Sequence, residues 1–101
     1  MAVYRVYRFV HVGINPKGAG IETLVPNAAI EAYLTANVPD WFRYAAQNYV
    51  LWTNLPVADV ARQITNIGGL SQMYVFAVEF HATNQNGMMP QNFWNWLYKP
   101  R

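Results

Sequence analysis

The chain has 101 residues, of which 53% are hydrophobic and only 12% are charged, with a net charge of +2 and no cysteine. The lack of cysteine excludes disulfides, thiolate zinc sites and cysteine nucleophiles. The net charge is too small, and the basic residues too scattered, to indicate a nucleic-acid-binding protein by themselves.

The low charge bears on association. Typical soluble domains carry about 25% charged residues, so this surface offers little electrostatic self-repulsion. We therefore expect a homo-oligomer or a protein partner. The length predicts a single domain over residues 1–101. No apolar run approaches the roughly 20 residues of a membrane span, and no signal-peptide pattern opens the sequence, which favours a cytoplasmic protein without membrane contact.

Residues Val3–Val12 alternate in a strand pattern with apolar side chains on both faces, which predicts a central strand. A turn or loop is expected over Gly13–Gly20. Whether Ile21–Val25 forms a second, short strand is left open. Asn27 is predicted to cap the N-terminus of a helix, which ends before Pro39.

The second half of the chain gives clearer patterns. Trp41–Gln47 suits either a helical turn or a strand, whereas Tyr49–Thr53 predicts a strand. An apolar stripe after Pro56 predicts a helix that the glycines Gly68 and Gly69 would cap. Met73–His81 predicts another strand, and Pro90 begins a short last helix.

This order of elements predicts an α+β fold, a ferredoxin-like sandwich with three to four strands and helices mainly on one face. The strand–helix–strand unit from Tyr49 to His81 should place two parallel strands in one sheet. So few strands leave one sheet face poorly covered, and we expect that face to need a partner.

Three segments together resemble the small SinR-like proteins, a family similar to the compact ferredoxin-like subunit of CRISPR spacer integration. They are Asn48–Thr53 followed by Pro56-x-Ala-Asp-Val60, the strand Met73–Val78, and Gly87-x-Met-Pro-x-x-Phe-Trp-x-Trp-Leu97. The resemblance implies a ferredoxin-like fold and homodimers formed through the sheet. The CRISPR-associated relatives carry a metal-linked aspartate near the end of the first strand, where this sequence has no acid.

The only two histidines, His11 and His81, lie at the ends of predicted strands. With Glu79 they could hold a transition metal or act as an acid–base site. Neither belongs to a spaced ligand motif, so structural or exposed histidines are the favoured interpretation. The sequence indicates no catalytic residue and no cofactor.

Two further groups of residues suit binding. Arg5, Arg8 and Tyr7 place basic and aromatic side chains on the first strand, where such side chains can stack nucleic-acid bases. The candidates for a protein interface are exposed aromatic and polar side chains, namely Trp41, Trp94, Tyr98, Asn84 and Asn86.

The sequence therefore favours a non-enzymatic, homodimeric protein-interaction module, acting as an accessory or inhibitor protein of phage or mobile-element origin. The alternative is a ferredoxin-like protein that associates with nucleic acid and has weak nuclease activity. A small dimeric enzyme with a pocket at His11, Glu79 or His81 is a third hypothesis.

Overall fold

A computed structural model describes residues 6–17, 26–68, 70, 73–83 and 87–101. The elements follow in the order β1 (Arg8–Pro16), α1 (Asn27–Asn37), β2 (Asp40–Ala45), β3 (Asn48–Thr53), α2 (Val57–Thr65), β4 (Met73–Phe80) and α3 (Gln91–Leu97). The strands form one antiparallel sheet in the order β2-β3-β1-β4. The predicted α+β class is confirmed. The helices of the described residues are all too short and too polar to cross a bilayer.

Strand β1 lies in the middle of the sheet, between β3 and β4, as its two apolar faces predicted. Because β3 and β4 both run antiparallel to β1, they are parallel to each other, in agreement with the predicted strand–helix–strand unit. The expected turn from Gly13 is wrong. The strand begins at Arg8 and continues to Pro16, because Gly13 pairs with both Asn48 and Phe76 across the two neighbouring strands. Ile21–Val25, for which the sequence leaves a short strand open, lies outside the described residues.

Helices α1 and α2 cover one face of the sheet, here called the inner face. The alternating residues Val10, Val12 and Ile14 of β1 point to it and are fully buried. The core they form also takes in buried side chains of both helices and of β3, namely Ile30, Leu34, Tyr49, Leu51, Val60 and Ile64. More side chains are buried on the inner face than on the opposite face, so the inner face supplies most of the core. Burial of one aliphatic side chain stabilises the fold by about 1.5–3 kcal/mol.

The short helix α3 packs on the opposite, outer face. Phe93, Trp96 and Leu97 are buried there against Phe9 of β1 and Val50 of β3. These three residues are three and four positions apart, so they share one side of the helix. Two of the three helices thus lie on one face of the sheet, and the third covers part of the other.

Strand β2 resolves the ambiguous stretch between Trp41 and Gln47. It pairs with β3 from Asp40 opposite Trp52 to Ala45 opposite Asn48, with an irregularity between Arg43 and Ala45. The tight connection between β2 and β3 makes these strands a hairpin, so pairing with β3 decides what the local sequence left open.

The predicted caps differ from the observed ones. Pro26 holds the N-cap position without a side-chain cap hydrogen bond, and Asn27 is the first residue of α1. The Asn27 Oδ1 atom accepts a hydrogen bond from the Tyr49 hydroxyl at 2.5 Å, which ties α1 to β3. Burial, together with the nearby Glu31 carboxylate, raises the pKa of Tyr49 to about 12. Helix α2 ends at Thr65 with Asn66 as its cap, before Gly68, and Gly69 lies outside the described residues.

Arg101 fastens the end of the chain onto the outer face. Its guanidinium carbon lies 4.5 Å from the centre of the Trp96 ring, 5.2 Å from that of Phe9 and 5.5 Å from that of Trp52. Nη2 donates to the Asp40 carboxylate at 3.0 Å and to the Trp96 carbonyl at 2.7 Å. A guanidinium that stacks on rings and pairs with a carboxylate holds α3 against the β2 edge.

We expect Arg101→Ala to lower the free energy of unfolding by about 1–2 kcal/mol, since it removes stacking and charge-assisted hydrogen bonds from a largely buried side chain. Lys99→Ala is the matched control, because Lys99 pairs with the same Asp40 oxygen at 2.8 Å but is half exposed. Its loss should cost less than about 1 kcal/mol. Urea denaturation measures both, and equal losses would contradict the role given to Arg101.

Candidate functional site

The outer face of the sheet carries a pocket where α3 stands away from the strands. Its volume is about 270 Å³, close to the lower end of small-molecule sites, which begin near 300 Å³. The lining comes from all four strands, the segment before α3 and α3 itself: His11, Tyr44, Val50, Val78, Phe80, Gly87, Met89, Phe93 and Trp94. None of these residues is Asp, Glu, Lys or Arg, so the pocket is apolar with a small polar part.

His11 and Tyr44 form that polar part. The His11 Nε2 atom lies 2.5 Å from the Tyr44 hydroxyl oxygen, and the histidine tautomer decides which group donates. Burial lowers the pKa of His11 and raises that of Tyr44, so both side chains are uncharged at neutral pH. Phe93 packs edge-on against the Tyr44 ring at 5.4 Å and fixes it from the helix side.

A second feature of the outer face is an apolar strip on β4, here called the open strip, which comprises Tyr74, Phe76 and Val78. Their exposed fractions are 62%, 65% and 42%. The three side chains point to the outer face, because Val78 pairs with His11 and Phe76 with Gly13. Helix α3 packs over β2, β3 and β1 and reaches β4 only near Phe80, which leaves the rest of this edge strand exposed. The open strip is therefore apolar surface that water contacts.

Lys17 borders the open strip. Its ammonium nitrogen lies 5.7 Å from the centre of the Tyr74 ring. The other described cations are engaged with carboxylates, in the pairs Arg8–Glu79, Arg43–Glu31, Arg62–Asp59, Lys99–Asp40 and Arg101–Asp40. The positive charge available near the strip is accordingly small.

The three residues considered for a metal site lie apart. His11 is on the outer face, whereas Glu79 pairs with Val10 and shares the inner face, where it binds Arg8 at 2.6 Å. His81 follows β4 and is exposed. No group of three potential ligands occurs within the described ranges. A pocket does exist at His11, and a separate one of about 330 Å³ is lined by Glu79 and His81, so the three residues do not share one pocket.

The nucleic-acid candidates are also engaged within the protein. Arg8 pairs with Glu79, and the Tyr7 ring stacks on Trp52 with its centre 5.6 Å away. Tyr7 keeps 44% of its surface exposed. Arg5 lies outside the described residues.

The interface candidates occupy different surroundings. Trp41 is half-buried against Tyr49 in the inner core. Trp94 is half-buried beside the pocket, and the exposed Tyr98 stacks on it with ring centres 6.0 Å apart. Asn84 and Asn86 lie outside the described residues.

Sequence reasoning missed Tyr44 and the open strip. Tyr44 lay in a stretch of undecided structure, and its partner His11 is 33 residues away in the chain. The alternation of Tyr74, Phe76 and Val78 was a visible signal, but it could not show which face of β4 the helices leave bare.

No protein-family model, no curated protein and no solved structure matches the chain. Function must therefore be argued from the geometry of these residues.

We expect the free energy of unfolding to fall as the pH is lowered from 6.5 towards 5. The unfolded chain protonates His11 near its ordinary pKa of 6.5, whereas the folded protein keeps His11 neutral to lower pH, so unfolding takes up a proton. The slope can reach at most about 1.4 kcal/mol per pH unit.

The pH dependence is measured by urea denaturation at several pH values, with wild type, His11→Gln and His81→Gln. His11→Gln should flatten the slope between pH 6.5 and 5, and the exposed His81→Gln should preserve it. A slope that survives in His11→Gln would contradict the assignment to His11.

Proposed function

We propose that the protein is a homodimeric interaction module with a ferredoxin-like fold, which associates through the open strip of β4. The single observation that carries this proposal is the row of three exposed apolar side chains on one edge strand. Contiguous apolar surface of this kind on a charge-poor protein favours association.

The element order supports the fold assignment. Residues from β1 to β4 follow the order β-α-β-β-α-β, which is the order of a ferredoxin-like unit, and α3 is an addition to it. The strands are antiparallel with β1 and β3 in the centre. The resemblance to the SinR-like family stays a prediction.

The symmetry of β4 favours a second copy as the partner. Strand β4 pairs with β1 on one edge, and no strand of the described residues pairs with its other edge, where an added strand could bind. Antiparallel pairing about a two-fold axis at Phe76 would set Phe76 against its own copy and Tyr74 against Val78. On the outer face, each of these pairs joins two apolar side chains, and the two Lys17 side chains lie at opposite ends.

A dimer of this form occupies surface and requires no catalytic group. Its function would be that of an accessory or inhibitor protein, which acts by covering part of another protein. The surface outside the strip remains rich in uncharged polar and aromatic side chains, which suit such contacts.

Dimerisation is tested by light scattering and sedimentation over a wide range of concentrations. Wild type should approach twice the 11.6 kDa chain mass. Phe76→Lys should weaken the dimer by about tenfold or more, because the two-fold axis sets two ammonium groups directly opposite each other in place of an apolar contact.

Thr35→Lys is the matched control, since it adds the same charge at an exposed position of α1, on the inner side of the sheet. It should leave the dimer intact. A wild type that stays monomeric at every concentration, or a dimer that Phe76→Lys does not weaken, would rule out the open strip as the interface.

Nucleic-acid binding is the second candidate. The observation that favours it is Lys17 over the Tyr74 ring, beside the exposed Phe76, since aromatic side chains on a sheet with a nearby cation can stack unpaired bases. The carboxylate pairs of the other described cations limit the phosphate contacts this surface can make.

If single-stranded RNA or DNA is the ligand, its affinity should fall steeply between about 50 and about 200 mM salt, and Lys17→Gln should reduce the slope by about one phosphate contact. Fluorescence anisotropy with a labelled oligonucleotide measures both. Lack of binding at the lower salt concentration would exclude this candidate.

A further inference from the structure

We infer that the pocket between α3 and the sheet binds a small, uncharged aromatic molecule that carries a single hydroxyl group, of the phenol class. This site does not depend on dimerisation. The inference rests on the size of the pocket, the nature of its walls and the chemistry of the His11–Tyr44 pair.

The size and the walls suit a single aromatic ring. A volume of about 270 Å³ is small for a ligand site but admits one substituted ring, since a cavity of about 150 Å³ already holds benzene. The walls include the rings of Phe80, Phe93 and Trp94 together with the Met89 side chain. Aromatic rings pack favourably against one another edge-on or offset, and a thioether contacts ring edges well.

The polar pair selects the substituent. A 2.5 Å hydrogen bond joins Nε2 of His11 to the Tyr44 oxygen, so one proton lies between these two atoms and belongs to one or the other. When Tyr44 donates to His11, its oxygen keeps a lone pair for a ligand hydroxyl. When His11 donates, the Tyr44 hydroxyl proton is available to a ligand oxygen. A hydroxyl group, which can both donate and accept, matches either arrangement.

The charge of the site excludes ions. Among the described residues that line the pocket there is no Asp, Glu, Lys or Arg, and burial keeps His11 and Tyr44 neutral. A carboxylate or an ammonium group would lose its hydration there without gaining a counter-charge. The anion benzoate is therefore the matched negative probe for a neutral phenol.

The experiment compares p-cresol, toluene and benzoate by isothermal titration and by NMR chemical-shift mapping. We expect p-cresol to bind with a dissociation constant near or below about 1 mM, about five- to tenfold tighter than toluene, which lacks only the hydroxyl. Benzoate should not bind. Shifts and nuclear Overhauser contacts of p-cresol should map to Met89, Val78 and Trp94.

Variants separate the polar contact from the apolar one. Tyr44→Phe should remove most of the preference for p-cresol over toluene while leaving toluene binding within about twofold. Tyr98→Phe is the control, because this exposed tyrosine lies at the end of α3 and does not line the pocket. The titrations are repeated with Phe76→Lys, so that a second copy near Val78 cannot hide the pocket.

Three results would overturn the inference. The first is that p-cresol binds neither the wild type nor Phe76→Lys. The second is that the wild type binds p-cresol and toluene with equal affinity. The third is that the contacts of p-cresol map away from the pocket. The mapping uses wild-type protein, so the inference stays falsifiable even if Tyr44→Phe does not fold.

Discussion

The burial of β1 on both of its faces is the constraint on which the rest of the structure depends. Val10, Val12 and Ile14 are sealed under α1 and α2, while Phe9 is covered by α3 on the other side. A strand with two apolar faces is stable in water only at the centre of a sheet with layers on both sides. The fold therefore needs α3, although α1 and α2 already complete one core.

The outer layer is thin, because α3 has only seven residues. A helix of that length cannot span four strands that lie about 4.8 Å apart. It covers β2, β3 and β1 and reaches β4 only near Phe80. Aromatic packing holds α3 in that position, together with Arg101, which stacks on Trp96 and pairs with Asp40. The pocket at His11 and the open strip at Phe76 are both consequences of this incomplete cover.

The pocket and the open strip differ in whether contacts within the protein stabilise their side chains. The pocket contains a polar pair whose partners meet each other, so the protein tolerates it without a ligand. No side chain in the described part of the chain covers the open strip, and the exposed Tyr74 and Phe76 leave water only when another surface packs on them. Val78 touches both features, which places the pocket and the strip side by side on the outer face.

The choice of face for each polar residue shows why the candidate site was harder to predict than the fold. The alternation in β4 placed Glu79 and the row of Tyr74, Phe76 and Val78 on opposite faces. It could not say which row faces the same way as His11, because that depends on the register between β1 and β4. The observed register sets His11 opposite Val78, so Glu79 points to the other side and meets Arg8 instead.

Local sequence determined the strands at the centre of the sheet, all three helices and the α+β class, because apolar periodicity and prolines act over a few residues. Tertiary structure decided the course of the chain at Gly13, the strand formed by Asp40–Ala45, the use of Asn27 as a partner for Tyr49, and the place of α3. These features depend on pairing and packing between segments far apart in the chain. Such contacts form only when the whole core assembles, so no short stretch of sequence can specify them.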